Sequence, residues 1–137
     1  ILDRTVEENG LKETAFKLGK GLITFCPLAQ GLLTDRYLHG IPADSRVRTD
    51  GRFLKESALT EEKLAQIRAL NEIAAARGQT LAEMALAWIL KDGQVTSVLI
   101  GASRPEQILD NIKALDNTTF TAEELEAIDK ASGYSKE

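Results

Sequence analysis

Gly101, Ser103 and Arg104 lie where an apolar run ends and a helical pattern begins, and their residue types suit an anion. The first backbone N–H groups of a helix lack partners within the helix and carry partial positive charge. The Ser103 hydroxyl can donate to an anion, and the planar Arg104 guanidinium matches a phosphate. Two interpretations follow: a phosphate site, or a helix cap in which Ser103 and Glu106 form a capping box and Arg104 is solvated.

The helix that follows this turn carries three more polar residues that can contribute to a site. Gln107, Asp110 and Asn111 come at one-turn spacing, which predicts that they share a face with the turn and can contact a base or ribose. The stretch contains neither a Gly-rich dinucleotide motif nor a P-loop motif.

A second turn of this kind is predicted at residues 25–37, at the end of another apolar run. We call these two turns, each of which follows a predicted strand, the notches. The second notch leads into a polar segment that carries Arg36 and Arg46, which are either cations near an anion site or ordinary solvated side chains. His39 and Cys26 have no partner at a spacing typical of catalysis, so we interpret His39 as a loop residue and Cys26 as a residue at a strand end.

The composition is typical of a soluble, globular chain: 137 residues, 43% hydrophobic and 28% charged, with a net charge of −4. The negative charge argues against a general nucleic-acid surface. Cys26 is the only cysteine and His39 the only histidine, which excludes a disulfide framework and a cysteine or multi-histidine metal site. No apolar run could span a bilayer and no signal peptide is found, so we predict a cytoplasmic protein with no membrane partner.

Two apolar runs, 22–26 and 95–100, are predicted as strands, and the polar segment 34–58 is predicted as a long functional loop. One helix is predicted at 6–18, and four more are predicted after the capping residues Thr60, Thr80, Ser103 and Thr121. The apolar residues that we expect to face inward in these four helices are Leu64, Ile67, Leu70, Ile73 and Ala74, then Leu81, Met84, Ala85, Trp88 and Ile89, then Ile108, Ile112 and Leu115, then Leu125 and Ile128.

This order of helices and strands is typical of a parallel α/β fold. Strands that are apolar throughout need cover on both faces and neighbours on both edges, and two strands cannot supply those neighbours. The chain is therefore predicted to be a slice of a larger α/β protein.

Two longer stretches resemble the aldo-keto reductases, with the potassium-channel β subunits and bacterial glyceraldehyde-3-phosphate reductases as the nearest branch. They are "CPLAQGLLTDRYLHGIPADSR" and "MALAWILKDGQVTSVLIGASRPEQILDN". The resemblance implies the C-terminal portion of a (β/α)8 TIM barrel, from the end of its sixth strand through the eighth β/α unit, plus two extra helices. It makes residues 1–137 a partial barrel that is incomplete at its N-terminus, with 34–58 as a loop that clasps the cofactor.

The resemblance also implies a set of residues that bind NADP. The residues expected on the pyrophosphate and ribose side are Phe25, Cys26, Pro27, Leu28 and Gln30, and those expected to meet phosphates from the loop are Arg36 and Arg46. The residues expected at the 2′-phosphate are Gly101, Ser103, Arg104 and Gln107, with Asp110 and Asn111 near the adenine. Many family members have lysine at position 101 and arginine at position 107, and the nearest branch often has lysine at position 36. Because Arg104 can replace the missing cations, we expect NADP rather than NAD.

No position in the chain matches the family's catalytic Asp, Tyr, Lys and His. The resemblance therefore implies a parent oxidoreductase that reduces a small aldehyde or ketone, of which this chain carries the cofactor half-site, no catalytic residue and no metal ligand. The chain alone is expected to be inactive. The alternative is a non-enzymatic nucleotide-binding regulatory subunit of the channel β type. The implied partner is a small carbonyl substrate, and the resemblance is compatible with a homo-oligomer.

Overall fold

The computed structural model of the chain describes residues 1–43, 45–49 and 55–135, and it describes the backbone alone for Arg46 and Thr49. The described elements are, in chain order, α1 Thr5–Glu8, α2 Leu11–Lys17, β1 Ile23–Thr24, α3 Arg46–Thr49, α4 Glu61–Ala76, α5 Leu81–Leu90, β2 Ser97–Val98, α6 Pro105–Ile112 and α7 Ala122–Ser132. Short 3-10 turns occupy Ala29–Gly31, Asp35–Tyr37, Glu56–Ala58 and Lys113–Asp116.

The two strands form a parallel pair in which Ile23 lies opposite Ser97 and Thr24 opposite Val98. This confirms the parallel arrangement, although both strands are shorter than the apolar runs that predicted them. β1 ends early because Cys26 adopts a left-handed conformation, with φ of 51°, which extended strands do not contain. One side of the pair is exposed: Phe25 is 77% exposed and Leu99 is 62% exposed.

Side-chain caps begin three of the helices at the residues that the sequence predicts. The Thr60 hydroxyl accepts the backbone N–H of Lys63 at the start of α4. Thr80 forms a complete capping box with Glu83, and Thr121 forms one with Glu124. These caps satisfy N–H groups that a helix cannot satisfy itself, which fixes where α4, α5 and α7 begin.

The main core lies between α4, α5 and α7. The predicted inward stripes are confirmed there by the most buried residues of the three helices, which are Ile67, Leu70, Ala74, Leu81, Met84, Ala85, Trp88 and Ile128. Tyr37 from the polar segment is only 2% exposed and joins this cluster. Its burial agrees with a packing role.

The predicted helix at 6–18 is two helices, α1 and α2, separated by Asn9 and Gly10. Gly10 has φ of 76°, a conformation that glycine adopts without steric cost. The Asn9 side chain accepts the N–H of Leu11 at 3.0 Å, so the break is also a local hydrogen-bonded turn.

The prediction that Ile108, Ile112 and Leu115 face inward is wrong, since these residues are 44%, 52% and 63% exposed. The residues on the packed side are Asn111, which is half-buried, and Ala114, which is 1% exposed and packs with Leu86 and Ala87. At 3.6 residues per turn, this side lies about a quarter turn from the apolar stripe. The stripe of α6 is therefore left facing solvent.

Lys12 is a buried cation, 5% exposed, that ties α2 to the end of α5. Its ammonium donates to Glu7 at 2.8 Å and to Asp92. Burial alone would lower the pKa of Lys12, but the hydrogen bonds with Asp92 and Glu7 outweigh it and raise this pKa. Burial opposes ionisation of both carboxyls, yet their contacts with Lys12 hold the pKa values of Glu7 and Asp92 below the ordinary range.

Trp88 is buried beneath two cations from different parts of the chain. The Arg4 guanidinium lies 4.4 Å from the centre of the indole ring, and the Lys91 ammonium lies 3.8 Å from it. Arg4 also pairs with Asp129 of α7 at 2.7 Å. These contacts fasten the segment before α1 to both α5 and α7.

Arg77 closes the turn between α4 and α5, and its side chain is only 2% exposed. It donates to the Thr119 carbonyl and the Gln79 side chain, both at 2.9 Å, and it pairs with Glu124. Its guanidinium also stacks on Phe120 at 3.7 Å from the ring centre. One side chain therefore joins this turn to the start of α7.

Candidate functional site

Both predicted notches leave the sheet at the same edge, because β1 and β2 are parallel and in register. The N–H of Leu99 donates to the carbonyl of Thr24 at 2.8 Å, so the chain exits of the two strands lie side by side. In parallel α/β proteins, ligands bind beyond the carboxyl ends of the strands. The fold therefore brings residues 25–30 and 99–104 to one edge of the pair.

The turn after β1 contains three non-glycine residues with left-handed backbones: Cys26, Ala29 and Gln30, with φ of 51°, 49° and 63°. Such conformations are uncommon, cost free energy and concentrate at functional sites. Hydrogen bonds from Ala29 N–H to the Cys26 carbonyl and from Gly31 N–H to the Leu28 carbonyl hold the turn. The sequence does not predict these conformations, because none of the three positions is a glycine.

The five residues expected on the pyrophosphate side differ in exposure. Phe25 and Cys26 are exposed, whereas Pro27, Leu28 and Gln30 are half-buried. Leu28 packs against both core clusters, so it also has a structural role. The Gln30 amide lies 3.6 Å from the Cys26 sulfur, which places these two side chains together.

At the start of α6, three donors converge on the side-chain oxygen of Gln107. They are the Ser103 N–H at 2.8 Å, the Ser103 hydroxyl at 3.2 Å and the Arg104 N–H at 3.3 Å. The predicted capping box between Ser103 and Glu106 is therefore wrong. Pro105 is the first helical residue, so the third position, from which a side chain reaches back, belongs to Gln107.

The remaining residues of this notch are exposed or half-buried. Gly101, Ser103 and Arg104 are exposed, and Asn111 is half-buried. Asp110 is exposed and accepts from the Lys113 ammonium at 2.8 Å, so its carboxylate already has a cation partner.

The segment 34–58, predicted as a long functional loop, contains three short helical elements among its described residues. Arg36 lies in the turn Asp35–Tyr37, where the Thr34 hydroxyl accepts the Arg36 N–H at 3.2 Å. Arg46 begins α3, but its side chain lies outside the described part of the chain, as do Asp44 and residues 50–54. The clasping role of this segment and of both arginines stays a prediction.

Within the described ranges, no group of three or more His, Cys, Asp or Glu residues is arranged to hold a metal ion. None of the helices described is both long and apolar enough to cross a bilayer. The charged clusters around Lys12 and Arg77 lie within the helical packing described above and join segments of the fold to one another.

The sequence matches a model of the aldo/keto reductase family over residues 1–132. It is 53% identical over 133 residues to an L-glyceraldehyde 3-phosphate reductase of Escherichia coli K12, a match that covers 95% of this chain and 38% of the relative. It is 38% identical over 121 residues to a putative voltage-gated potassium channel subunit beta of Schizosaccharomyces pombe, covering 85% of this chain and 35% of that relative.

Comparison with solved structures gives similar proteins. The chain is similar to a glycerol dehydrogenase of Gluconobacter oxydans, with a TM-score of 0.71, 27% identity, and coverage of 94% of this chain and 38% of the other. It is also similar to a thermostable aldo-keto reductase in complex with the inhibitor epalrestat, with a TM-score of 0.60, 27% identity, and coverage of 94% and 36%. The chain thus spans less than two fifths of the length of these relatives.

Proposed function

Because the chain belongs to the aldo/keto reductase family, we propose that it is the C-terminal part of an NADP-dependent oxidoreductase that reduces a small aldehyde or ketone. The observation that carries this proposal is that the carboxyl ends of β1 and β2 lie side by side. The strained turn of residues 26–30 and the donor set at the start of α6 both begin there. A nucleotide cofactor needs such a combination of shaped backbone and converging donors.

The exposed apolar surface supports the partial-barrel part of the proposal. Ile23 in β1, Phe25 just after β1, Leu99 just after β2 and the stripe of α6 are all exposed. Groups of exposed apolar residues usually mark an interface. Further β/α units of the same barrel would cover it and would pair with the open strand edges.

The donor set at the start of α6 fits the phosphate of NADP. Three donors that converge on one oxygen within 3.3 Å form the arrangement that a phosphate oxygen also requires. Arg104 is exposed beside them and adds a full charge. We assign Gly101, Ser103, Arg104 and Gln107 to the 2′-phosphate, with Asp110 and Asn111 toward the adenine.

The turn after β1 would hold the other end of the cofactor. We assign its pyrophosphate and ribose side to Phe25, Cys26, Pro27, Leu28 and Gln30, with Arg36 and Arg46 reaching phosphates from the segment 34–58. Bound NADPH would supply the hydride for carbonyl reduction. This chain would bind and orient the cofactor, and the groups that bind and protonate the carbonyl would come from the rest of the barrel.

A second candidate function is that of a nucleotide-binding regulatory subunit. The similarity to the putative channel subunit beta of Schizosaccharomyces pombe favours it. Carbonyl reduction by the protein made from the whole reading frame would separate the two functions, because only the reductase consumes NADPH with an added aldehyde.

Replacing Arg104 by alanine tests the cofactor assignment. We expect NADPH binding to weaken by about 1.5–3 kcal/mol, roughly 10- to 150-fold, because a charge-assisted contact with the 2′-phosphate is lost. NADH has no 2′-phosphate, so its affinity should stay within about threefold. The measurement is a titration of each cofactor against the protein made from the whole reading frame, with Arg68→Ala on α4 as the control. An equal loss for NADH and NADPH would show that Arg104 does not contact that phosphate.

A further inference from the structure

The break between α1 and α2 is an Asn-Gly pair at the surface of the fold. Asn9 and Gly10 are both exposed, and neither belongs to a helix. Glycine has no side chain, so its backbone nitrogen is the least shielded one that can follow an asparagine. The space around Gly10 is open, because a Cβ placed there would meet no atom within 4 Å. Water and hydroxide can therefore reach this peptide bond.

The Asn9 carboxamide is held close to the peptide bond that follows it. Its Oδ1 accepts the Leu11 N–H at 3.0 Å, which folds the side chain toward the backbone of Gly10. Among the described residues, no hydrogen bond from the Gly10 N–H is found, so this group can lose its proton without breaking one. The Leu11 donor also polarises the carboxamide, because it points at the oxygen that gains negative charge when a nucleophile attacks Cγ.

We propose that Asn9 is a site of spontaneous deamidation in the folded protein, with water as the only co-reactant. The Gly10 nitrogen gives its proton to hydroxide and attacks Cγ of Asn9. The carboxamide nitrogen takes up a proton from water and leaves as ammonia, which closes a five-membered succinimide ring. Water then adds at one of the two ring carbonyls and breaks its bond to the ring nitrogen. No atom is oxidised or reduced, and the net change replaces an NH2 group by an OH group, which ionises to a carboxylate.

The two products of ring opening differ in their effect on the fold. Opening at Cγ gives aspartate, which keeps the backbone and an oxygen that can accept the Leu11 N–H. Opening at the backbone carbonyl gives isoaspartate, which adds one methylene to the main chain between α1 and α2. Glu7 on α1 pairs with Lys12 on α2 at 2.8 Å, and this contact depends on how the two helices are spaced. Isoaspartate at position 9 therefore destabilises the Lys12 cluster.

Asn117 is a matched control within the same chain. It is also exposed, and its Oδ1 accepts the N–H of Thr119, two positions along, at 3.3 Å. The residue that follows it is Thr118, whose β-branched side chain crowds the backbone nitrogen that would have to attack. Asn9 and Asn117 thus share exposure and the same local hydrogen bond, and they differ in the residue that follows.

The experiment incubates the protein made from the whole reading frame at mildly alkaline pH, where circular dichroism shows it folded, and follows both asparagines by peptide mass spectrometry. Trypsin cleaves after Arg4 and Lys12, so Asn9 lies in the peptide 5–12. We expect Asn9 to convert at least about tenfold faster than Asn117, because only Thr118 shields its nitrogen. Isoaspartate should exceed aspartate, and both should contain oxygen from labelled water. Similar rates at the two positions, or conversion of Asn9 to aspartate alone, would overturn the proposal.

Asn9→Ser separates the modification from the local turn. Serine cannot form a succinimide, but its hydroxyl can still accept the Leu11 N–H. After the same incubation, the thermal unfolding midpoint of the unsubstituted protein should fall by at least about 2 °C, whereas that of Asn9→Ser should stay where it was. Asn9→Asp, measured without incubation, should match the unsubstituted protein, because its backbone is unaltered. An equal fall in both incubated proteins would show that isoaspartate at this position does not destabilise the Lys12 cluster.

Discussion

Replacing Arg77 by methionine is expected to lower the free energy of unfolding by about 3–5 kcal/mol, the usual effect of breaking a buried ionic network from one side. The substitution removes the pairing with Glu124, the hydrogen bond to the Thr119 carbonyl and the stacking on Phe120. Methionine fills similar space but removes the donor of the Thr119 carbonyl, and it leaves the Glu124 carboxylate with the Thr121 N–H but without its cation.

Urea denaturation followed by circular dichroism measures this effect, and Arg68→Met is its matched control. Arg68 lies on α4, the helix that ends just before Arg77, but its side chain is 49% exposed and it reaches Glu61 only at 3.7 Å. Exposed pairs of this kind contribute about 0–1 kcal/mol. Equal losses for the two variants would contradict the view that Arg77 joins the α4–α5 turn to α7.

Replacing Lys12 by methionine is the second large effect that we expect, a loss of about 2–4 kcal/mol. The loss is smaller than for Arg77 because the Arg77 substitution also removes a hydrogen bond to a backbone carbonyl and the stacking on Phe120. The acidic partners are exposed to similar degrees, 27% and 32% for Glu7 and Asp92 and 30% for Glu124. Lys17→Met is the control on the same helix, since Lys17 and Glu13 form a pair that is 69% and 68% exposed. That control should change the free energy of unfolding by less than about 1 kcal/mol.

The Lys12 cluster also makes stability depend on pH in a defined direction. The pKa values of Glu7 and Asp92 are lowered in the folded chain, so their contribution is complete above the ordinary carboxyl range near pH 4 and is lost as the pH falls through the lowered values. The raised pKa of Lys12 acts at the other end: its contribution is complete below about pH 10.4 and is lost as the pH rises through the raised value. Lys12→Met should flatten the acid side of a plot of unfolding free energy against pH. An unchanged acid slope would mean that other carboxyls produce it.

The features that the sequence predicts well are those set by neighbours within one or two helical turns. Thr60, Thr80 and Thr121 cap their helices through residues three positions away, and the stripes of α4 and α5 follow from the helical period. The family resemblance is likewise confirmed, because it depends on contiguous residues such as those around Gly101.

The features that the sequence did not predict depend on residues far apart in the chain or on backbone geometry. Lys12 meets Asp92 across 80 positions, and Arg77 meets Glu124 across 47, distances that no local period reveals. The left-handed backbones of Cys26, Ala29 and Gln30 are not at glycine positions, so the sequence does not indicate them. At the start of α6, Pro105 is the first helical residue, so the capping side chain belongs to Gln107 and not to Glu106. This difference of one position changes which side chain accepts the N–H of Ser103.

The stacking of Arg4 and Lys91 on Trp88 gives the protein an optical signal of its own. Trp88 is the only tryptophan in the sequence, so all indole fluorescence comes from this one place. Trp88 is 3% exposed, and the centre of its ring lies 4.4 Å from the Arg4 guanidinium. If the first few residues detached, the indole ring would be exposed to water and would lose the stacked Arg4 guanidinium. The fluorescence emission maximum of Trp88 would then move to longer wavelength. Intrinsic tryptophan fluorescence can therefore report whether the first residues of the chain are attached, without any added label.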